Sequence, residues 1–464
     1  MDSAQAPEPK RLKRDAQPAG ARKISVADLV PLAAGLPAAR GVPSIELTKT
    51  DSHEFIGHKY RDDMLEHIKS FCDLESGSPR GPQPRSDNQN ALPTRIPPMA
   101  LTRHPSGGKT RTLKEIGLAL RKQDIFSLFI TFSDLTQYDA AIERDRTWLQ
   151  SLLLRIGWAA ARDDVRGSVG DDFSRWLTEV DVTKDTICKW LGDAVCVLLV
   201  DELNKLMVGE GRQQFPDEGA IAAEFLRAEF VDKRGRYLVF SSHFTETGTK
   251  LTVFMESLSN RDVLRPLLPV ITSVDQAAVL SQEAASAPKL YYLGLTPALV
   301  HKAFAVEKRP ATCVDQLFDR LPKPPFTRAT LRAMIMLALD GAAHRVAGLG
   351  GWAAALDAFV DDPLRLPIGT PSYTWSPCFL AAACEQLVGV GEFRQSLRQG
   401  LWRIVANLRQ LAEATEGSGV QWEGVCAAAL ILRMLQSDVG DYKPSNLHAE
   451  ARAILPTAVL NGRM

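Results

Sequence analysis

Three groups of residues have types and spacings suited to phosphate and metal chemistry. The first is Arg103-His-Pro-Ser-Gly-Gly-Lys-Thr110. Apart from Arg103 in its first position, it follows the pattern G-x-x-x-x-G-K-[ST] of a phosphate-binding loop. Gly107 and Gly108 let backbone NH groups approach phosphate oxygens, with Ser106 in the same cradle. Lys109 brings a cation to the β- and γ-oxygens, and the Thr110 hydroxyl is a candidate Mg2+ ligand. The apolar Met99-Ala-Leu-Thr102 precedes the loop, and Thr110–Lys122 follows with Leu113, Ile116 and Leu120 at helical intervals. That order puts bound phosphate at a helix N-terminus. Arg103 and Arg111, at the two edges of the motif, join the candidate nucleotide-binding set.

The second group is Asp201-Glu202, at the end of the apolar run Ala194-Val-Cys-Val-Leu-Leu-Val200. An acidic pair at the mouth of a buried strand divides two tasks. Asp201 holds the metal and Glu202 draws a proton from the attacking water. Two surface carboxylates capping the next helix are the bland alternative, and the loop upstream weighs against it. The third group is Ser241-Ser242-His243, after the strand-like Arg236–Phe240. One of these three would sense the γ-phosphate; Ser242 is placed in the nucleotide set, but the order of residues does not choose between them. Arg261 is a further candidate for the leaving phosphates, against the plainer reading of a surface arginine.

Short apolar runs at Met99–Thr102, Ile125–Phe132, Val195–Val200, Tyr237–Phe240 and Leu290–Leu295 alternate with amphipathic stretches. The expectation is an α/β fold of the P-loop NTPase type, a parallel sheet with helices on both faces. Ala- and Leu-rich helical patterns at Leu331–Leu339, Trp352–Phe359, Phe379–Leu387 and Phe393–Leu411 then imply a mostly α-helical C-terminal lobe. The expected divisions are a disordered leader at 1–50, a helical lead-in and linker at 51–98, an NTPase core at 99–300, a helical lobe at 301–415 and a fragment at 416–464.

The chain resembles the NTPase module of Crinkler effectors and the related retrotransposon hot-spot-like proteins. The resemblance rests on Arg103-x-x-Ser-Gly-Gly-Lys-Thr-Arg-Thr112, on Phe129-Ile-Thr-Phe132 and on Leu198-Leu-Val-Asp-Glu-Leu-Asn-Lys205, and covers about residues 92–433. It implies that arginine in the first loop position is usual. It also implies that Ser418–Arg433, with Glu423, is like the first helix of a nuclease domain. Ser437–Met464 contains no Asp followed by the Glu-x-Lys that such a nuclease uses, so the nuclease is expected to be truncated.

Lys+Arg and Asp+Glu both number 55, which removes any chain-wide electrostatic case for nucleic acid or an anionic membrane. No run approaches the ~18 apolar residues of a membrane span. The seven cysteines lack metal-ligand spacing and read as free thiols of a reducing compartment. The expected location is intracellular, with Lys10, Arg11, Lys13 and Arg14 forming a candidate nuclear-import cluster. The expected function is Mg2+-dependent binding and hydrolysis of a nucleoside triphosphate. ATP is favoured because no guanine-reading Asn/Thr-Lys-x-Asp follows a strand. A protein partner would be reached through the helical lobe. The alternatives are a nucleotide-gated interaction protein with little turnover, and a truncated effector or mobile-element paralogue.

Overall fold

A computed structural model of the chain describes residues 20–32, 55–72, 97–102, 107–133, 136–143, 146–203, 205, 216–233 and 235–242. Further on it describes 264, 266, 268–269, 275–276, 280, 287–293, 297–301, 303, 331, 335, 377–391, 393–413 and 419–438. The strands are β1 (Arg22–Lys23), β2 (Met99–Thr102), β3 (Ser127–Thr131), β4 (Val180–Asp181), β5 (Cys196–Asp201) and β6 (Arg236–Ser242). The first helices are α1 (His58–Cys72), α2 (Lys109–Arg121), α3 (Ala140–Glu143), α4 (Trp148–Ala160), α5 (Asp163–Ser168), α6 (Phe173–Glu179), α7 (Lys184–Leu191) and α8 (Pro216–Leu226).

Four strands form one parallel sheet in the order β2-β6-β5-β3. Their near-continuous apolar sequences follow from burial on both faces. Successive side chains alternate between faces, so each strand feeds two cores. Leu101, Phe129, Val197, Leu199, Tyr237 and Val239 pack with Met64, Leu65 and Ile68 of α1 and Leu113, Ile116 and Leu120 of α2. Ala100, Leu128, Ile130, Leu198, Val200, Leu238 and Phe240 pack on the opposite face, with α4, α6, α7 and α8. The helix expected as a lead-in at 51–98 is therefore part of the sheet's own packing. Its Met64 and Ile68 are buried against the strands.

Four of the five expected strand runs are strands. The fifth, Leu290–Leu295, is a correction: Ala287–Tyr292 is a helix, α9. Leu290, Tyr291, Tyr292 and Leu293 are all buried, and a helical turn enclosed on every side has the same uninterrupted apolar sequence as a buried strand. On the outer edge of β2, a parallel pairing comes from Leu264 instead. Its NH donates to Pro98 O at 2.9 Å, and its carbonyl accepts from Ala100 N at 2.8 Å.

Part of the stretch expected to be a disordered leader is docked. β1 pairs in parallel with β4, with Arg22 opposite Val180 and Lys23 opposite Asp181. Ile24, Leu29 and Val30 are buried, and Trp190 Nε1 donates to Val30 O at 2.7 Å. The basic cluster at Lys10–Arg14 lies outside the described residues.

The C-terminal region is helical, with α10 (Pro297–His301), α11 (Pro377–Val388), α12 (Gln395–Glu413) and α13 (Gly419–Asp438) sharing one core with α9. Leu401, Ile404, Val405 and Leu408 of α12 meet Val425, Ala428, Leu432 and Leu435 of α13 in that core. Gly424 allows the close approach, since a Cβ there would stand 3.3 Å from Asn407 O. Residues assigned from sequence to the separate fragment at 416–464 thus pack with the helical lobe as far as Leu435. Of the other expected lobe helices, Trp352–Phe359 lies outside the described residues. No described helix is long and apolar enough to cross a membrane.

Candidate functional site

The sheet delivers the first two sequence groups to the same place. β2 leads into the loop and α2 leaves it, with Gly108 at the helix N-cap at φ 83°. That left-handed conformation strains any residue with a Cβ and favours glycine. Lys109 begins α2 and is buried, while Thr110 follows half-buried. Arg111, in the same turn, is ion-paired with Glu115 at 2.8 Å. Arg103, Ser106, His243 and Arg261 lie outside the described residues, so the set drawn from the sequence is only partly placed.

Asp201 ends β5, and β6 separates that strand from β2. The Thr110 hydroxyl donates to Asp201 Oδ2 at 2.9 Å, joining the loop to the acidic pair. Ser241 Oγ donates to Asp201 Oδ1 at 2.6 Å and accepts from Glu202 N at 2.8 Å. Of the three residues that sequence order left open, Ser241 is bonded to both acids, and His243 lies outside the described residues. Val200 lies opposite Phe240, so the next pair brings Ser241 beside Asp201. Ser242 is buried one step on, opposite Thr102 of β2. On the other side, Thr131 of β3 is paired with Asp201, whose carbonyl accepts from Phe132 N at 3.1 Å.

Asp201 is wholly buried, and its carboxyl is pushed up to about 6. Burial is the largest cause and the adjacent Glu202 adds to it, while hydrogen bonds from Ser241 and Thr110 and the charge of Lys109 act the other way. A buried carboxylate and a hydroxyl converging beside a second carboxylate make a hard-oxygen donor set. That is what a divalent cation such as Mg2+ requires. Glu202 itself has φ 54°, a conformation uncommon for a non-glycine residue and concentrated at functional sites. Its carboxylate is ion-paired with Lys205, a partner that the sequence reading left without a role.

The β3 flank of the site is fixed by a buried cation. Arg155 makes a two-pronged pair with Glu143, both contacts at 2.8 Å, and its Nε donates to Thr131 O and Thr136 O at 3.2 and 3.0 Å. Its guanidinium also lies over the Phe132 ring, 4.4 Å from the centroid. The signal available in sequence, an arginine inside the apolar Trp148–Ala160 run, pointed to a buried charge without naming its acid.

Neither the protein-family models nor the curated proteins compared with the chain give a match. The functional reading therefore stands on the geometry. Among the described residues no group of three or more His, Cys, Asp or Glu side chains could hold a metal on its own. Cys188, Cys196, Cys378, Cys384 and Cys426 are not joined in disulfides among the described residues, and Cys426 is exposed.

Proposed function

We propose that this chain is a P-loop NTPase that binds Mg2+ and a nucleoside triphosphate, ATP by preference, and hydrolyses it. The observation that carries the reading is the 2.9 Å hydrogen bond between Thr110 and Asp201, which joins a Gly-Gly-Lys-Thr loop to a strand-end acid. The sheet order supports it, because the loop strand and the acid strand lie on either side of a strand that ends in a hydroxyl. The Leu264 pairing beyond β2 extends that sheet on the outer side of the loop strand. The reading accords with the resemblance to Crinkler-type NTPase modules, which implies that an arginine such as Arg103 is usual in the first loop position.

In this reading Gly107 and Gly108 present backbone NH groups to the phosphates, and Lys109 meets the β- and γ-oxygens. Thr110 and Asp201 would hold Mg2+, which when bound neutralises phosphate charge. Ser241 keeps the Asp201 carboxylate and the Glu202 backbone in register. Glu202 accepts a proton as the water oxygen bonds to the γ-phosphorus and the bridging oxygen leaves with the diphosphate.

The test is Glu202→Gln, which keeps size and hydrogen bonding but removes the charge that attracts a proton. Phosphate release is expected to fall by about 10²–10⁴-fold, the usual worth of general-base catalysis, at nearly constant ATP affinity. An unmodified chain without turnover above background, and a variant indistinguishable from it, would remove hydrolysis from the reading.

A further inference from the structure

β6, β5 and β3 end side by side, and their last residues carry polar groups onto one face of the sheet. Val239, Leu199 and Phe129 pack on the α2 side, so Ser241, Asp201 and Thr131, each two residues further on, face that side too. Ser241 and Asp201 are engaged with each other and with Glu202 and Thr110. Thr131 instead closes a turn. Its Oγ1 accepts from Ser133 N at 3.0 Å and donates to Ser133 O at 3.3 Å, which folds Ser133 back until the two hydroxyl oxygens are 3.0 Å apart. With the Thr131 proton given to that carbonyl, Ser133 Oγ is the donor of the hydroxyl contact, and its lone pairs are left for another donor. Ser133 is half-buried, and the turn that carries it is braced. Phe132 N donates to Asp201 O at 3.1 Å, Thr136 N donates to Ser133 O at 3.4 Å, and Arg155 and the Thr136 hydroxyl both donate to Thr131 O. A hydroxyl held in this way, beside a strand spaced ~4.8 Å from that of Asp201, is preorganised to bind.

Resting on the assignment of Glu202 as the base, we propose that Ser133 is a catalytic residue that holds the attacking water for it. One O–H of the water donates to a lone pair of Ser133 Oγ and the other to Glu202, which aims the water oxygen at the γ-phosphorus. As the new O–P bond forms and the bridging P–O bond breaks, the water proton passes to Glu202 and the bridging oxygen leaves with the diphosphate. Ser133 keeps its own proton, donated to Thr131 Oγ1 throughout. The buried pair of Arg155 with Glu143 then acts on the site as well as on the fold, because it fixes Thr131 O and, through the turn, the hydroxyl that meets the water.

Phosphate release and equilibrium Mg-ATP binding are measured on the full-length chain, on Ser133→Ala, Ser133→Thr and Glu202→Gln, and on the double variant Ser133→Ala with Glu202→Gln. Ser133→Ala is expected to lower kcat about three- to tenfold, the worth of one hydrogen bond, with ATP affinity unchanged. Ser133→Thr keeps the hydroxyl and most of the rate. In the Glu202→Gln background the same loss of the hydroxyl costs less than about twofold, because two groups that act on one water are not additive. A merely structural role would lower the rate alike in both backgrounds. Unchanged kcat in Ser133→Ala, a loss of ATP affinity, or an equal fold-change in the two backgrounds overturns the role of Ser133 and leaves the nucleotide site standing. Failure of the unmodified chain to bind Mg-ATP or to release phosphate overturns both.

Discussion

Glu143 and Arg155 place opposite charges side by side where neither side chain is exposed, so each depends on the other. Burial alone would raise the Glu143 carboxyl. The hydrogen bonds and charge of Arg155 outweigh it and hold the carboxyl below its ordinary value of 4.5. Glu143→Ala leaves the guanidinium buried without its partner and is expected to cost about 3–5 kcal/mol in denaturant unfolding. The pH dependence has a definite sign. A depressed carboxylate contributes stability that is present above its ordinary value and lost as the pH falls through the lower value of the folded protein. The unmodified chain should lose melting temperature across that acidic interval, and Glu143→Ala should lose less. Equal acid sensitivity in the two proteins would remove Glu143 as a source of the effect. The residue scale also limits what sequence can tell. Asp201 and Glu202 were legible from their place after an apolar run, but the choice of Ser241 depends on how β6 is aligned with β5. Ser241 and Ser242 are chemically identical and adjacent, so pairing register alone separates them.

At the scale of elements, the turn from β2 into α2 is where the account is most exposed to test. Gly108 holds φ 83°, and a Cβ there would meet nothing within 4 Å among the described residues, so the penalty for alanine is conformational. Gly108→Ala should cost about 1–2 kcal/mol of stability. It should also lose ATP affinity, because relief of the strain swings the loop NH groups away from the phosphates. Unfolding and binding measured on the same sample separate the two effects, and unchanged affinity would take Gly108 out of the cradle. The strands β2, β3, β5 and β6 were readable because buried parallel strands are continuous apolar runs. α2 was readable because Leu113, Ile116 and Leu120 recur at helical spacing and are all buried. Leu290–Leu295 misled for the reason that made the others plain: a run apolar on every side reports burial but not period. The docking of β1 on β4 had no sequence signal, since two strand residues and the scattered Ile24, Leu29 and Val30 show no periodicity.

On the scale of the whole molecule, the described chain has two sheet-facing cores and a separate helical one. The sheet gathers residues from the loop at Gly107, the strand end at Asp201 and the strand end at Ser241 to its C-terminal edge. The helical core gathers α9 to α13, and its extent back to Leu280 and forward to Leu435 was not visible from the sequence divisions at 301 and 416. A core is defined by which apolar faces meet, and helical spacing gives each face without its partner. The central claim remains that the Gly-Gly-Lys-Thr loop and the Asp201 carboxylate form one site for a metal-bound nucleotide. Calorimetric titration of ATP into the purified full-length chain and into Lys109→Ala, with Mg2+ present, tests it most directly. Saturable binding by the unmodified chain and its loss in the variant are the expected result, because Lys109 is the motif cation for the β- and γ-oxygens. Equal ATP affinity in the two proteins, or no binding by the unmodified chain, would contradict the claim.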